Sequence, residues 1–249
     1  MENLTNIDCL VIGAHPDDAE LCVGGTIAKL TKEGRTVVLV DCTRGEKGTR
    51  GNPEIREIEA QNAAKLLGVA LRINLEMKDG FIEHNYENLY KIVSVIRRFR
   101  PKIILTHPWF ERHPDHEAVH KLFRDALFKS GLKKFETEFE GKIQEVYRTR
   151  RIYCYNQAYQ FPKLPDFFVD ISDVHDLKID AIKAFSSQVF VPGQYENEPP
   201  TRLASPEFME ELYARARYFG GLIGVKYAEA FLTLEPLGVS SVSKFLFDK

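Results

Sequence analysis

Four short apolar runs in the first half of the chain are each followed by a segment with helical spacing, and this alternation narrows the possible folds more than any other feature. Cys9–Ile12 is a compact apolar run, and Leu21–Glu33 repeats Leu21, Ile27, Ala28 and Leu30 at helical intervals before stopping at Gly34. Thr36–Cys42 is nearly continuous and β-branched, as a strand buried on both faces should be. Glu54–Leu67 is amphipathic and closes at Gly68, and Leu71–Leu75 alternates apolar with polar residues as a third strand would. Tyr86–Phe99 reads as a helix ending before Pro101, Lys102–Thr106 as a fourth strand, and a helix follows from about Asp115 to Leu127. Strands alternating with crossover helices predict an α/β fold, Rossmann-like, with a mostly parallel doubly wound sheet and helices on both faces. Right-handed crossovers in the usual order put the first and fourth strands side by side. The loops leaving those two strands then line one crevice, the place where ligands of open α/β sheets bind.

The second half is less regular. Ile152–Tyr155 and Phe168–Asp170 read as strands, and Val174–Ser186 as a helix capped by Ser172 or Asp173. Val191–Ser205, rich in Pro, Glu and Asn, reads as a long surface loop, and Pro206–Phe219 as a helix with Pro206 in its first turn. No repeat or linker divides the chain, so residues 1–249 are expected to form one domain, large enough to bury roughly 70–75% of its unfolded surface. The balance of 34 Lys+Arg against 36 Asp+Glu argues against a nucleic-acid partner. Cys9, Cys22, Cys42 and Cys154 form no C-x-x-C pair, so neither a disulfide framework nor a cysteine zinc site is expected. Met1–Thr5 has no leader character and no window approaches the ~18 apolar residues of a membrane span, which points to a soluble cytoplasmic protein.

One tripeptide occurs twice. His15-Pro16-Asp17-Asp18 follows the first strand and His113-Pro114-Asp115-His116 follows the fourth. A single His-Pro-Asp is more often a turn, with Pro fixing the backbone and Asp capping the next helix. Two copies leaving adjacent strands point instead to a metal. Catalytic zinc usually takes three His, Asp or Glu ligands and keeps one position open. His15 and Asp18 can converge on one ion, and His116 can close the set from the other loop. That leaves His113 and Asp115 as a pair in which the carboxylate orients the ring and favours its charged form. Asp17 stands beside the ion, where a general base belongs. Of the other histidines, His107 and His120 read as structural, with an alternative or supporting metal ligand as the other reading, and His84 and His175 read as ordinary surface residues.

At these positions the chain resembles the LmbE-like (PIG-L) family of zinc-dependent N-acetylglucosaminyl deacetylases. The family motif A-H-P-D-D-x-E stands complete as Ala14-His15-Pro16-Asp17-Asp18-Ala19-Glu20, followed by Gly24-Gly25-Thr26, and H-P-D-H is His113 to His116. Thr43-Arg44-Gly45-Glu46, Arg56–Ala60 and Lys78-Asp79-Gly80 extend the likeness. Within the family it looks most like the bacillithiol-biosynthesis branch acting on N-acetylglucosaminyl malate, through Glu111-Arg112, Pro165-Asp166-Phe167 and Gly224-Val225-Lys226-Tyr227-Ala228-Glu229. The resemblance implies His15, Asp18 and His116 as ligands of one Zn2+ per chain, with Fe2+ or another divalent metal able to replace it. It implies Asp17 as general base, His113 oriented by Asp115 as oxyanion stabiliser, and Arg56, Asp79 and Glu46 as substrate contacts. It also implies a homo-oligomer. Some mycothiol-pathway relatives carry a tyrosine just before the second motif. Here that stretch is Trp109-Phe110-Glu111-Arg112, and Tyr195 in the long loop is the candidate replacement.

The expected reaction is hydrolysis of the amide of an N-acetyl amino sugar, with Asp17 taking a proton from water and His113 facing the oxyanion. Val191–Ser205 is a candidate lid, and Arg202 within it could bind a malate carboxylate. The bland alternatives are a surface salt bridge of Arg56 with Glu57 or Glu59, and a turn at Asp79-Gly80. Rival substrates are a chitin disaccharide, a mycothiol-type conjugate or a lipid-linked glucosamine, the last disfavoured by the missing membrane segment. A Rossmann-like nucleotide-binding protein would show G-x-G-x-x-G after the first strand, where this chain has Gly13-Ala14-His15 and two acids. A non-catalytic metal-binding module would need neither Asp17 nor the His113-Asp115 pair.

Overall fold

The computed structural model describes residues 4–155, 161 and 163–238. The first half runs β1 (Cys9–Gly13), α1 (Asp18–Lys32), β2 (Val37–Thr43), α2 (Pro53–Leu66), β3 (Leu71–Met77), α3 (Tyr86–Phe99), β4 (Ile103–Thr106) and α4 (Pro114–Ser130). A small antiparallel hairpin, β5 (Glu138–Phe139) and β6 (Lys142–Ile143), precedes β7 (Arg151–Cys154) and β8 (Phe167–Asp170). The chain continues through α5 (His175–Lys183), α6 (Pro206–Ile223) and β9 (Ala228–Thr233). The main sheet has the order β3-β2-β1-β4-β7-β9-β8. β1 pairs in parallel with β2 on one side and with β4 on the other, in register Cys9↔Ile103, so the predicted neighbours are neighbours. β9 enters antiparallel to both β7 and β8.

The strands divide their side chains between two cores with a period of two. Cys9, Val11, Val37 and Leu39 face a core shared with α1, α2, α5 and α6, and Leu10, Ile12, Val38 and Val40 face one shared with α3 and α4. The four cysteines are all buried and free. No described helix is long and apolar enough to cross a membrane.

The Gly24-Gly25-Thr26 segment is explained by a kink. α1 leaves helical geometry at Val23 (φ −134°), which frees N–H groups of the following turn. The Glu229 carboxylate on β9 accepts Gly25 N–H at 2.9 Å, Thr26 N–H at 2.7 Å and the Thr26 hydroxyl, while Lys178 Nζ neutralises it at 2.6 Å. A Cβ on Gly25 would lie 2.8 Å from Ile171, so the backbone approaches too closely for any side chain.

Several sequence expectations differ from the structure. α5 begins behind Val174, which offers no side-chain cap; Ser172 bonds Asp170 Oδ1 at 2.6 Å, and Asp173 pairs with Lys29 at 3.1 Å. His175 is buried, its ring stacked 3.7 Å from that of Tyr227, and is not a surface residue. The β5–β6 hairpin and β9 are additions that the sequence pattern does not predict.

Candidate metal centre

Both His-Pro-Asp segments sit at the carboxyl edge of the sheet, where β1 and β4 end. In the first, the chain turns through His15 and Pro16 and enters α1 one residue after Asp17, which takes a left-handed conformation (φ 110°, ψ −25°). Such geometry in a non-glycine residue stores about 1–3 kcal/mol and must be held by its surroundings. Arg56 does the holding. Its guanidinium donates to Pro16 O at 2.5 Å and Gly45 O at 3.0 Å, and lies 3.4 Å from Asp17 Oδ2. In the second segment the helix starts directly at Pro114, with His113 as its cap; His113 Nδ1 accepts the Asp115 N–H at 3.2 Å.

The two loops interlock around Asp18. Its Oδ1 is 3.4 Å from His116 Nε2, and its Oδ2 is 2.8 Å from His15 N, 3.5 Å from His15 Nδ1 and 3.2 Å from His107 Nε2. His107 and His116 stack at 4.0 Å. The far nitrogen of His15, Nε2, faces two more carboxylates, Asp79 Oδ1 at 3.2 Å and Asp115 Oδ2 at 3.3 Å. Three groups of potential ligand atoms lie within 4.8 Å of one another: His15, His113 and His116; Asp18, His107 and His116; and His15, Asp79 and Asp115. The predicted trio of His15, Asp18 and His116 spans the first two of these groups, with Asp18 touching both histidines.

A divalent cation fits this donor set on structural grounds. His107 Nε2 lies 3.0 Å from Ala14 N and 3.2 Å from Asp18 Oδ2, and His116 Nε2 lies 3.4 Å from Asp18 Oδ1. Two imidazoles and a carboxylate gathered that closely in a buried site offer nitrogen and oxygen donors to a positive charge. Among the described residues His116 Nδ1 is buried with no hydrogen-bond partner, an unmet polar atom of the same cluster. Imidazole nitrogen and carboxylate oxygen together suit zinc and neighbouring first-row ions.

The electrostatics divide the groups. Burial pushes the Asp17 carboxyl up to about 7, against the pull of Arg56 and with the help of Asp18. Burial also opposes ionisation of Asp18, but His116 and His107 hold it well below the usual carboxylate range. His15 is disfavoured as a cation by burial, yet Asp115, Asp18 and Asp79 raise it well above an ordinary imidazole. Burial and the His107 ring lower His116 to about 4, and burial with His15 lowers His113.

The remaining expected site residues fall differently. The Asp115 carboxylate does not orient His113: it accepts Gly80 N–H at 2.7 Å and Ile82 N–H at 3.3 Å and faces His15. The α4 cap geometry turns the His113 ring back onto the Asp115 backbone, so the predicted pairing and the charged ring are replaced by a depressed, neutral one. Asp79 is no simple turn residue. Its Oδ2 accepts Lys47 N–H at 2.7 Å, and Glu46 Oε1 accepts the Asp79 N–H at 2.9 Å, which ties the β2–α2 loop to His15. Arg56 pairs with neither Glu57 nor Glu59; Glu57 pairs with Arg44, and Glu59 accepts Ser187 N–H. Val191–Ser205 contains neither helix nor strand; Tyr195 O accepts Arg50 at 2.6 Å, and Arg202 pairs with Glu211 at 2.6 Å. His107, read as structural, belongs to the ligand cluster; its position one residue after β4 was the available signal.

A doubly wound sheet with a His/Asp cluster able to hold a cation at its switch point, and a second buried carboxylate beside it, supplies the groups that a metal-dependent hydrolase needs. The family model described as "PIG-L: GlcNAc-PI de-N-acetylase" matches residues 10–127. The chain is 32% identical over 235 residues to the diacetylchitobiose deacetylase of Thermococcus kodakarensis, covering 88% of this chain and 80% of that protein. It is 29% identical to a probable N-acetyl-alpha-D-glucosaminyl L-malate deacetylase 2 of Bacillus anthracis over 131 residues, which is 47% of this chain and 58% of that one. The crystal structure of a conserved protein from Thermus thermophilus superposes with a TM-score of 0.82 at 34% identity, over 95% of this chain and 99% of that one. The chain belongs to the PIG-L family and is a metal-dependent amidohydrolase.

Proposed function

We propose that this protein removes the acetyl group from N-acetylglucosamine units of a short oligosaccharide, with N,N′-diacetylchitobiose as the representative substrate. The observation that carries this reading is Asp17, a buried carboxylate held near neutral pKa beside a cation site and locked there by Arg56. We assign one Zn2+ per chain to His15, Asp18 and His116, a site that Fe2+ also suits. When bound, the ion supplies Lewis acidity toward water and toward the amide carbonyl.

The chain's own groups account for the proton movements. Asp17 accepts a proton as water adds to the acetyl carbon, and returns it to the nitrogen as the C–N bond breaks, releasing a free amine and acetic acid, which loses its proton to solvent as acetate. His113 Nδ1 is occupied as an acceptor of the Asp115 N–H, so the neutral ring carries its proton on Nε2. That Nε2–H donates to the oxygen on which negative charge develops. Arg56 acts on the Asp17 loop and is buried, with its guanidinium bonded to Pro16 and Gly45. The sugar hydroxyls are left to Asp79, Glu46 and Tyr195.

A malate-bearing substrate is less well supported. Arg202, the cation expected to receive its carboxylate, is paired with Glu211, and Arg56 faces inward. The relative named for that substrate matches under half of the chain, whereas the chitobiose deacetylase matches nearly all of it.

The test is acetate release from N,N′-diacetylchitobiose, N-acetylglucosaminyl malate and N-acetylglucosamine by the zinc-loaded protein. The proposal expects kcat/KM at least about tenfold higher for the disaccharide than for the malate conjugate, a difference of about 1.4 kcal/mol. A preference for the malate conjugate would replace the substrate, and no acetate from any of the three would overturn the N-acetyl sugar reading.

A further inference from the structure

A groove of about 760 Å³ opens immediately beside the second His-Pro-Asp segment, outside the cluster described above. Pro114, between His113 and Asp115, forms one wall, and Trp109, Glu117, His120, Arg124 and Phe128 contribute to the rest. Trp109 is 39% exposed, an unusual position for the chain's single tryptophan. Its indole stands edge-on to the His120 ring at 6.0 Å.

His120 gives the groove its chemistry. The residue is only 3% exposed, and its Nδ1–H donates to His107 O at 2.8 Å, which fixes the proton on that nitrogen. Nε2 is therefore the nitrogen left to accept, and among the described residues it has no hydrogen-bond partner. An acceptor at the floor does not suit an anion, although Lys121 and Arg124 stand at the rim. It suits a hydroxyl donor. A partly exposed indole suits the apolar C–H face of a ring. Glu117, Arg124 and Asp125 add acceptors and donors around the same groove; Asp125 is itself braced by His84 at 3.3 Å. A ligand with an apolar ring face and hydroxyls at its edge is a sugar.

We infer that this groove is a second saccharide subsite, which binds a sugar unit beyond the one whose acetamide reaches the metal centre. The inference rests on the N-acetyl sugar reading of the active site and extends it to substrate length. His120 anchors a hydroxyl and Trp109 stacks on the ring, so oligosaccharides bind better than the monosaccharide.

Because Trp109 is the only tryptophan, its fluorescence reports on this groove without any turnover. The zinc-loaded protein is titrated with N,N′-diacetylchitobiose, its trisaccharide homologue, N-acetylglucosamine and malate, while acetate release is followed separately. The expected result is a saturable fluorescence change with the two oligosaccharides at their KM, and one at least about tenfold weaker in affinity with the monosaccharide. Trp109→Ala is expected to reduce the oligosaccharide-to-monosaccharide ratio of kcat/KM by about tenfold, and His120→Gln to weaken the fluorescence-detected binding. Acetate release from the oligosaccharides with no change in Trp109 emission overturns the subsite and leaves the deacetylase reading standing. Emission changes without acetate release keep the subsite and overturn that reading. A change with malate alone makes the groove an anion site, and a change that follows protein concentration alone makes it a contact between copies; either overturns the proposal.

Discussion

The two His-Pro-Asp segments share three letters and do different work. In the first, the helix starts after the motif's aspartate, so Asp17 is left in a left-handed conformation with its carboxylate buried against Arg56. In the second, the helix starts earlier in the motif, at Pro114, and Asp115 falls inside the first turn. Its carboxylate then crosses to the loop after β3, where it takes the Gly80 and Ile82 N–H groups and meets His15. In the proposed mechanism Asp17 moves protons, while Asp115 faces a histidine of the opposite loop. A small shift in where a helix begins is enough to separate those roles.

That comparison can be broken by substitution. The largest effect should come from His116→Ala, which removes the ligand we propose from the second segment: bound metal measured by mass spectrometry should fall below about one-tenth of an ion per chain, and activity with it. Asp17→Asn should keep the metal and lower kcat by about 10²–10⁴, the usual contribution of a general base. Asp115→Asn should weaken metal binding by about 10–100-fold through His15, with turnover largely restored by excess Zn2+. If Asp115 instead behaved as Asp17 does, losing turnover with the metal retained, the two segments would not be divided as described. Arg202→Ala should be the mildest, less than about twofold in kcat/KM for N,N′-diacetylchitobiose, because its partner Glu211 lies on the exposed face of α6 and surface pairs contribute little.

The centre is legible in the sequence because the relevant geometry is topological. Adjacent parallel strands β1 and β4 follow from the alternation of elements, and both motifs leave the same edge. Contacts set by distant loops are not legible. The partners of Asp115 are the backbone N–H groups of Gly80 and Ile82, far back along the chain, and nothing in His-Pro-Asp announces them. His107 resembles an ordinary core histidine in the sequence because its burial and its stacking on His116 depend on the packed structure. β9 escapes the sequence pattern because Ala228–Thr233 holds a buried Glu229, whose reason to be there is the distant kink in α1. Arg202 reads as a ligand contact because an exposed arginine in a long loop has no visible partner until α6 is in place.

The most direct test is to measure kcat on N,N′-diacetylchitobiose and bound zinc together for Asp17→Asn and Asp115→Asn. The account predicts a zinc-replete, nearly inactive Asp17→Asn and a zinc-poor Asp115→Asn that regains turnover when zinc is added. An Asp17→Asn variant turning over within about tenfold of the unaltered protein, or an Asp115→Asn variant that stays inactive with its zinc restored, would contradict it.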